Sequence, residues 1–433
     1  MLAGSDSKGE PELVRRDAFT LSEARASSPR AGRWSARAAA TWCGSATQTD
    51  VVPNVVAGHA AHWIYVVPAD GQDSLGVVAN AMQSDAEAID AWWSSQDPTR
   101  SPRFDLARLS CGTQLDISSL RLKRSSSQLA PQGSQFEAIV ADVNAARFGS
   151  RFDKYVVYYD GPAPSNLCGE GGGFSSGLGY AVVYVQSCSQ VSSAIVAVHE
   201  LVHTYGVVPQ GAPHTCSSPN TFHVCDAEHD LMYPFADGTP LAGLTLDSGR
   251  DDYYGHGGGW PDLQDSPWLV HHDRQVPFAL SITGAGTVAS DVPGLQCISS
   301  CTTTWNADTT IVLSATPTPT TRFVRWGGAC TGTFTCTVRA SSGGAVTALF
   351  APLRYRVRVS VSGKGSVQSS RGAIACPKRC SAAVASYTPL RLSVQAAKGW
   401  RFVGWRGSCQ GKRSACRLPM SADASVGAVF RRR

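Results

Sequence analysis

Long apolar runs are missing from this chain of 433 residues. No stretch reaches the ~18 consecutive apolar residues of a membrane-spanning helix, and no sustained heptad pattern indicates a coiled coil. The first 40 residues also lack the apolar core, about 7–15 residues long, of a secretion signal. With 43% hydrophobic residues, the chain still has ample material for a buried core. We therefore expect a soluble globular protein of about two to four domains, without a transmembrane segment.

No CxxC pair occurs among the fourteen cysteines, which argues against a zinc ribbon. The cysteines fall along the chain into groups of six, four and four, and even groups favour disulfides. Disulfides form in oxidising compartments, so we expect a secreted or cell-surface protein although no signal peptide is visible. Residues 1–40, in which Arg is scattered among Ser and Ala, are predicted to be a disordered leader.

Acidic residues are nearly absent from the last 80 positions. Residues 354–433 contain 17 Lys and Arg but only one acid, Asp423, a net charge of +16 in a chain whose total is +5. Arg354, Arg356 and Arg358 alternate with apolar residues, which places the three cations on one face of a strand. Such a surface either attracts a polyanion, such as a cell-surface polymer, or is merely solvated. No motif indicates sequence-specific binding of nucleic acid.

Two copies of one module make up the C-terminal third, over residues 277–353 and 354–433. Five positions of the first copy recur 79 residues later in the second. They are Gly284, Cys297, Cys301, Trp326 and Cys330. Short alternating runs between Gly, Pro and Ser predict small β modules, each with four cysteines that would form two disulfides of undetermined pairing. The modules resemble the divergent internalin-type B repeats of bacterial surface proteins, which implies a β-grasp-like fold and a surface setting.

Predicted strands and helices alternate over residues 41–276. An amphipathic helix is predicted from Asp73 to Trp93, and strands lie before and after it. Residues 168–173 are glycine-rich and are predicted to form a loop before a strand at residues 180–185, with a Cys168–Cys188 disulfide fixing both. The order indicates an α+β domain with a mixed sheet.

A helix predicted over residues 191–205 carries His199, Glu200 and His203. Residues four apart share a helix face, so both imidazoles can bind one Zn²⁺ ion while Glu200 lies beside it. Gly206 is placed to end the helix. Two histidines and a third ligand leave one position for water, which Glu200 can deprotonate as general base.

These residues, followed by Met232 in the stretch Asp230–Pro234, resemble the metzincin clan of zinc metallopeptidases and, more closely, a group of actinobacterial secreted proteins. The resemblance spans residues 41–273. It implies that Met232 lies beneath the metal. It also implies that a substrate-binding edge strand contains Tyr180, Val182 and Tyr184.

The third zinc ligand departs from the clan pattern. Metzincins place His or Asp three residues after the helix-ending glycine, where this chain has Pro209, which cannot bind metal. The ligand must come from a longer loop, which offers His214, His223, Asp226 and His229, and His223 and His214 are the leading candidates. A Cys216–Cys225 disulfide would hold both on that loop.

The sequence thus predicts a zincin-like metallopeptidase domain followed by two disulfide-stapled β repeats. The expected activity is that of a secreted zinc metalloendopeptidase acting on a protein or peptide. The alternative is a non-catalytic surface adhesin with a structural or degenerate zinc site. Binding of both His214 and His223 to the metal, with no position for water, would favour that alternative.

Overall fold

A computed structural model describes residues 13–21, 41–50, 57–130, 135–164, 166–174, 177–342 and 345–433. The protein is α+β and consists of an N-terminal domain followed by two β repeats. No helix in these ranges is both long enough and apolar enough to cross a membrane. The predicted class and the mixed sheet are confirmed.

The N-terminal domain contains eleven strands and four α-helices within the described ranges. The strands are β1 (Leu13–Leu21), β2 (Ala60–Val67), β3 (Arg100–Pro102), β4 (Leu106–Leu109), β5 (Gly112–Leu115), β6 (Ile117–Arg121), β7 (Asp153–Tyr159), β8 (Leu167–Phe174), β9 (Gly179–Tyr184), β10 (Phe235–Ala236) and β11 (Leu269–His271). The helices are α1 (Leu75–Gln96), α2 (Ser126–Leu129), α3 (Gln135–Ala145) and α4 (Ser193–Thr204).

Seven of these strands form one twisted sheet in the order β10-β1-β8-β9-β7-β2-β6. Strands β6, β2, β7 and β9 are parallel, whereas β8 runs antiparallel to β9 and to β1. Alternate residues of β2 face opposite sides: Trp63 and Tyr65 join the core that includes α1 and α4, while Ile64 and Val66 join the core that includes α3. Both faces of the sheet are therefore covered, which explains why β2 is apolar nearly throughout.

Helix α4 lies between the sheet and α1, and every residue from Ala194 to Thr204 is buried. Four consecutive apolar residues, Ile195 to Val198, give α4 apolar side chains in every direction, which is typical of such an internal position. Its first turn is fixed by Asp85 of α1, whose carboxylate accepts hydrogen bonds from Ser193 Oγ at 2.5 Å and Tyr158 Oη at 2.8 Å. Burial raises the pKa of Asp85 to about 6.

The structure contradicts the predictions for the two segments that form β8 and β1. Residues 168–173 are not a loop but most of β8, because their backbone groups pair with β9 on one side and β1 on the other. The predicted disordered leader is contradicted at residues 13–21, which form β1 through that pairing. The remainder of residues 1–40 lies outside the described ranges.

Each repeat consists of two four-stranded sheets packed around its own core. The first contains β12 (Gln275–Thr283), β13 (Gly286–Ser290), β14 (Gln296–Cys297), β15 (Cys301–Asn306), β16 (Thr310–Pro317), β17 (Thr321–Gly328), β18 (Cys336–Arg339) and β19 (Val346–Pro352). The second contains β20 (Arg354–Ser362), β21 (Gly365–Ser369), β22 (Ala375–Cys376), β23 (Ser381–Ala385), β24 (Leu390–Ala396), β25 (Trp400–Gly407), β26 (Ala415–Leu418) and β27 (Ala424–Arg432).

The β-grasp expectation is not met by the repeats. A β-grasp packs an α-helix across one sheet, but the described residues of both repeats contain no α-helix, and two sheets face each other instead. The recurring glycine has a steric cause: Gly284 has φ of 86°, and a Cβ there would lie 2.2 Å from the carbonyl oxygen of Phe350. Trp326 and Trp405 are buried in the two cores.

All fourteen cysteines form disulfides, as predicted. The pairs are Cys43–Cys111, Cys168–Cys188, Cys216–Cys225, Cys297–Cys301, Cys330–Cys336, Cys376–Cys380 and Cys409–Cys416. Each repeat contains two short local bridges. Such bridges form in oxidising compartments and are consistent with a secreted or surface protein.

Candidate metal centre

Three imidazole rings converge on one point beside α4. The Nε2 atoms of His199 and His223 are 3.1 Å apart, those of His199 and His203 are 3.2 Å apart, and those of His203 and His223 are 3.4 Å apart. All three side chains are buried. Of the two candidates for the third position, the structure brings His223, and not His214, to the helical pair.

The Nδ1 atoms of His199 and His203, the helical pair, determine whether the Nε2 atoms present lone pairs or protons to this point. His199 Nδ1 donates to the carbonyl oxygen of Leu231 at 2.6 Å, and His203 Nδ1 donates to that of Val207 at 2.9 Å. With a proton on Nδ1, each neutral ring directs the lone pair of Nε2 inward. Burial, together with the neighbouring His203 and His223, holds the pKa of His199 well below its usual value, so the ring stays neutral.

The residues fit a zinc ion. Lone pairs brought this close repel one another unless a cation lies between them. In a tetrahedral site, a Zn–N distance of about 2.0–2.1 Å sets neighbouring ligand nitrogens about 3.3–3.4 Å apart. The three Nε2–Nε2 separations of 3.1, 3.2 and 3.4 Å match that spacing. Three neutral nitrogen donors also suit zinc better than calcium or magnesium, which prefer oxygen.

A short disulfide-closed loop delivers His223. Within the Cys216–Cys225 loop, Cys216 N donates to the carbonyl oxygen of His223 at 2.8 Å, and Cys225 N donates to that of His214 at 3.0 Å. This pairing sets Thr215 opposite Val224 and puts the two histidines on opposite strands of a narrow hairpin-like turn. Of the two, His223 is the one whose ring nitrogen reaches the helical pair.

His214 faces away from the site and pairs with carboxylates. Its Nδ1 lies 3.0 Å from Asp252 Oδ2, and its backbone N donates to Asp252 Oδ1 at 2.8 Å. The side chain is 42% exposed, and the Asp252 carboxylate raises the pKa of His214. A protonated imidazole has no lone pair for a metal, so this environment argues against His214 as a ligand.

The turn at Met232 holds the centre mainly through its backbone. The carbonyl oxygen of Leu231 accepts from His199, and the carbonyl oxygen of Met232 accepts from Val224 N at 3.1 Å, next to His223. The Met232 side chain is fully buried. One turn thus orients ligands from both α4 and the loop.

Asp230 fixes this turn and was missed by the sequence analysis. Its carboxylate accepts from Met232 N at 2.7 Å, Ser248 N at 2.7 Å and Tyr253 Oη at 2.8 Å. Burial raises the pKa of Asp230 to about 6 despite these bonds. The only signal in the sequence was its position two residues before Met232, which is where an Asp side chain caps a turn.

Glu200 lies where α4 contacts β8. A Cβ added at Gly169 would lie 2.8 Å from Glu200 Oε1, and one added at Gly171 would lie 2.8 Å from Glu200 Oε2 and 2.6 Å from the Glu200 carbonyl oxygen. The glycines therefore permit close approach of β8 to the helix at the predicted general base. That steric need accounts for the glycine-rich segment.

The prediction that Tyr180, Val182 and Tyr184 lie on an edge strand is wrong. Their strand, β9, is hydrogen-bonded to β7 on one side and β8 on the other, and all six of its residues are buried. Strand β8 lies one position further out. Its outer edge pairs with β1, which in turn pairs with β10 directly after the Met232 turn.

Comparison with protein families identifies the C-terminal region. Residues 286–353 and 355–433 match the divergent InlB B-repeat domain. These two stretches cover most of both repeats, from residue 286 in the first and residue 355 in the second, so the predicted repeat identity is confirmed for this part of the chain. No curated protein matches the chain.

Solved structures give only weak likenesses. The Bacillus anthracis TIE protein matches with a TM-score of 0.23 and 6% identity over 37% of this chain and 34% of that one, so the match spans about a third of its length. OgpA from Akkermansia muciniphila, solved with an O-glycopeptide substrate, matches with a TM-score of 0.28 and 9% identity over 89% of this chain and 98% of that one. A major pilin of Streptococcus pyogenes matches with a TM-score of 0.18 and 9% identity over 37% and 97%. Similarities this low carry no argument about function.

Proposed function

We propose that the N-terminal domain is a metzincin-like zinc metalloendopeptidase. The observation that carries the proposal is the convergence of three imidazole Nε2 atoms, 3.1–3.4 Å apart, beside a glutamate on the same helix. His199, His203 and His223 would hold the ion. The fourth tetrahedral position remains for water, because His214 is paired with Asp252 instead.

When bound, zinc supplies Lewis acidity that lowers the pKa of water and polarises a carbonyl group. Glu200 would accept the proton of the attacking water and then donate a proton to the leaving amine. Burial of Glu200 against the glycines of β8 keeps this carboxylate in one position. The backbone of β8 can pair with an extended peptide, as it pairs with β1, and so align the scissile bond alongside α4.

The proposal is tested by metal analysis and cleavage of an unfolded protein. We expect about one zinc ion per chain that His199, His203 and His223 retain on dialysis. Cleavage should stop when a chelator removes the metal and return when one equivalent of zinc is added. As a control, circular dichroism of the chelated protein without added zinc shows whether removal of the metal damages the fold. Zinc-loaded protein that cleaves nothing across a broad peptide library would refute the peptidase proposal and favour an adhesin.

Strand β1 occupies the edge that a substrate would need. The three histidines and Glu200 are at most 1% exposed, and β1 is the strand that pairs with both β8 and β10 at this place. Removing residues 1–21 should therefore raise kcat/KM on a peptide by about tenfold or more. In the full chain a substrate must first displace β1, and each ~1.4 kcal/mol of that free-energy cost lowers kcat/KM by a factor of ten.

Removal of residues 1–12 is the matched control, because it shortens the chain but leaves β1 in place. The rates of both truncated proteins and the full chain are compared on one fluorogenic peptide. Equal rates for the two truncations would contradict a covering role for β1.

The second repeat is proposed to bring the enzyme to an anionic surface. On β20, Arg354, Arg356 and Arg358 are exposed while Val357 and Val359 are buried. The first repeat has only Arg322, Arg325 and Arg339 against two acids, so the charge is specific to the second copy. This distribution favours a secreted, surface-associated protein whose basic repeat binds a polyanionic polymer.

A further inference from the structure

A second group of metal-ligating side chains lies on the opposite face of the sheet from α4. Asp50, His62, Asp105 and Asp116 each present a ligand atom, and these atoms lie within 4.8 Å of one another. His62 is on β2, and Asp105 and Asp116 flank the β4–β5 hairpin, joined by a backbone hydrogen bond of 3.1 Å. The ring of His62 stacks on Phe148, which belongs to the core that includes α3.

Both ring nitrogens of His62 are engaged. Its Nδ1 donates to Asp105 Oδ2 at 2.8 Å, and its Nε2 lies 2.9 Å from Ser118 Oγ. A carboxylate is only an acceptor, so Nδ1 carries a proton. His62 therefore orients Asp105 and leaves oxygen atoms as the donors of this cluster.

Two of those oxygens lack a partner although they are buried. Asp105 is 1% exposed and Asp116 is 5% exposed, and neither Asp105 Oδ1 nor Asp116 Oδ2 has a hydrogen-bond partner. Within the described residues no Lys or Arg forms an ion pair with either carboxylate. Three carboxylates thus face at most one positive charge, that of His62. Buried carboxylate charge of this kind is strongly unfavourable unless a proton or a cation neutralises it, and a cation would do so with both carboxylates ionised.

We propose that Asp105 Oδ1, Asp116 Oδ2 and the Asp50 carboxylate bind a calcium ion. An all-oxygen donor set selects a hard cation over zinc. Calcium binds oxygen at about 2.3–2.6 Å in irregular geometry and can bridge oxygens up to about 5 Å apart, whereas magnesium demands a tighter octahedron of about 2.0–2.1 Å. Asp50 is exposed and closes the site on the solvent side, which gives the ion a route of entry.

The ion would join the segment of residues 41–50 to the sheet. Near its start that segment is held by the Cys43–Cys111 disulfide and by hydrogen bonds such as that from Trp42 Nε1 to the carbonyl oxygen of Leu115, and further on by pairing of Thr47 with Ser118 and Ser119. Calcium at Asp50 adds an attachment at the other end of the segment, beside the hairpin base. The site is therefore structural, and it involves none of the proposed zinc ligands.

The test uses full-length protein that has been stripped of metal and reloaded with one equivalent of zinc. Titration calorimetry should show one calcium ion bound with a Kd of about 1 mM or tighter, and thermal unfolding should shift to higher temperature with added calcium. Asp116→Asn, which keeps the shape but removes the charge, should weaken calcium binding at least tenfold. Asp105→Asn provides a second variant with the same expectation.

Asp160→Asn is the matched control. Asp160 is a buried aspartate that directly follows the C-terminal end of β7, whereas His62 pairs with Tyr155 near the other end of that strand. Its carboxylate accepts hydrogen bonds from Tyr65 Oη at 2.9 Å and Gln186 Nε2 at 2.9 Å. Its substitution should leave the calcium Kd unchanged. The proposal is overturned if wild-type protein binds no calcium at 10 mM (~10 times the weakest expected Kd), or if Asp116→Asn and Asp105→Asn bind it as the wild type does.

Discussion

Substitution of Glu200 by Gln is expected to leave the zinc content at about one ion per chain and to lower kcat/KM by about 10²–10⁴-fold, the usual contribution of a general base. Glutamine has the same shape as glutamate, so contacts with Gly169 and Gly171 are kept. Its amide cannot accept the proton of water. The three histidines are unchanged, so metal binding and activity should separate.

The measurement pairs zinc analysis with cleavage of a fluorogenic peptide by the same preparation. Glu87→Gln is the control, because Glu87 is an exposed glutamate of α1 that accepts a hydrogen bond from Gln83. It should cleave at the wild-type rate. If Glu200→Gln also cleaved at that rate, Glu200 would not be the base. A variant that lost its zinc would show instead that Glu200 supports the metal site.

The helical half of the centre could be predicted because its geometry is local. His199 and His203 are one helical turn apart, and the helix follows from the apolar pattern of residues 191–205. The third ligand could not be chosen in the same way. Which histidine of the Cys216–Cys225 loop faces α4 depends on the register of that loop and on the Asp252 carboxylate, 38 residues from His214 along the chain.

Strand β8 shows how a local signal misleads. Glycine-rich sequence usually indicates a turn, yet here Gly169 and Gly171 make room for α4, a contact between elements about 30 residues apart. The order of β8 and β9 in the sheet could not be predicted from the sequence either. Strand β8 comes first in the chain, but it runs antiparallel to β9 and lies further from the centre of the sheet. The cluster around His62 was missed for a similar reason, since Asp50, Asp105 and Asp116 are brought together only by the sheet.

Substitution of His223 by Ala is expected to weaken zinc binding by about 100-fold or more. Structural zinc sites bind with apparent free energies of about 10–16 kcal/mol, so one of four ligands accounts for ~3 kcal/mol, which corresponds to ~100-fold in Kd. The loss should be selective for the metal, because the Cys216–Cys225 disulfide and the backbone pairing of the loop do not involve the imidazole. Zinc affinity is measured by competition with a chelating dye.

His214→Ala is the matched control on the same loop, two residues from the same disulfide. Its ring contacts Asp252 and not the metal site, so its zinc Kd should equal that of the wild type. The reverse outcome, with zinc lost from His214→Ala and kept by His223→Ala, would require the hairpin-like turn to face the other way. Such a turn would lose the hydrogen bond from Val224 N to the carbonyl oxygen of Met232, which fixes the loop against the segment beside α4. The two alanine variants therefore test the orientation of the loop as well as the identity of the third ligand.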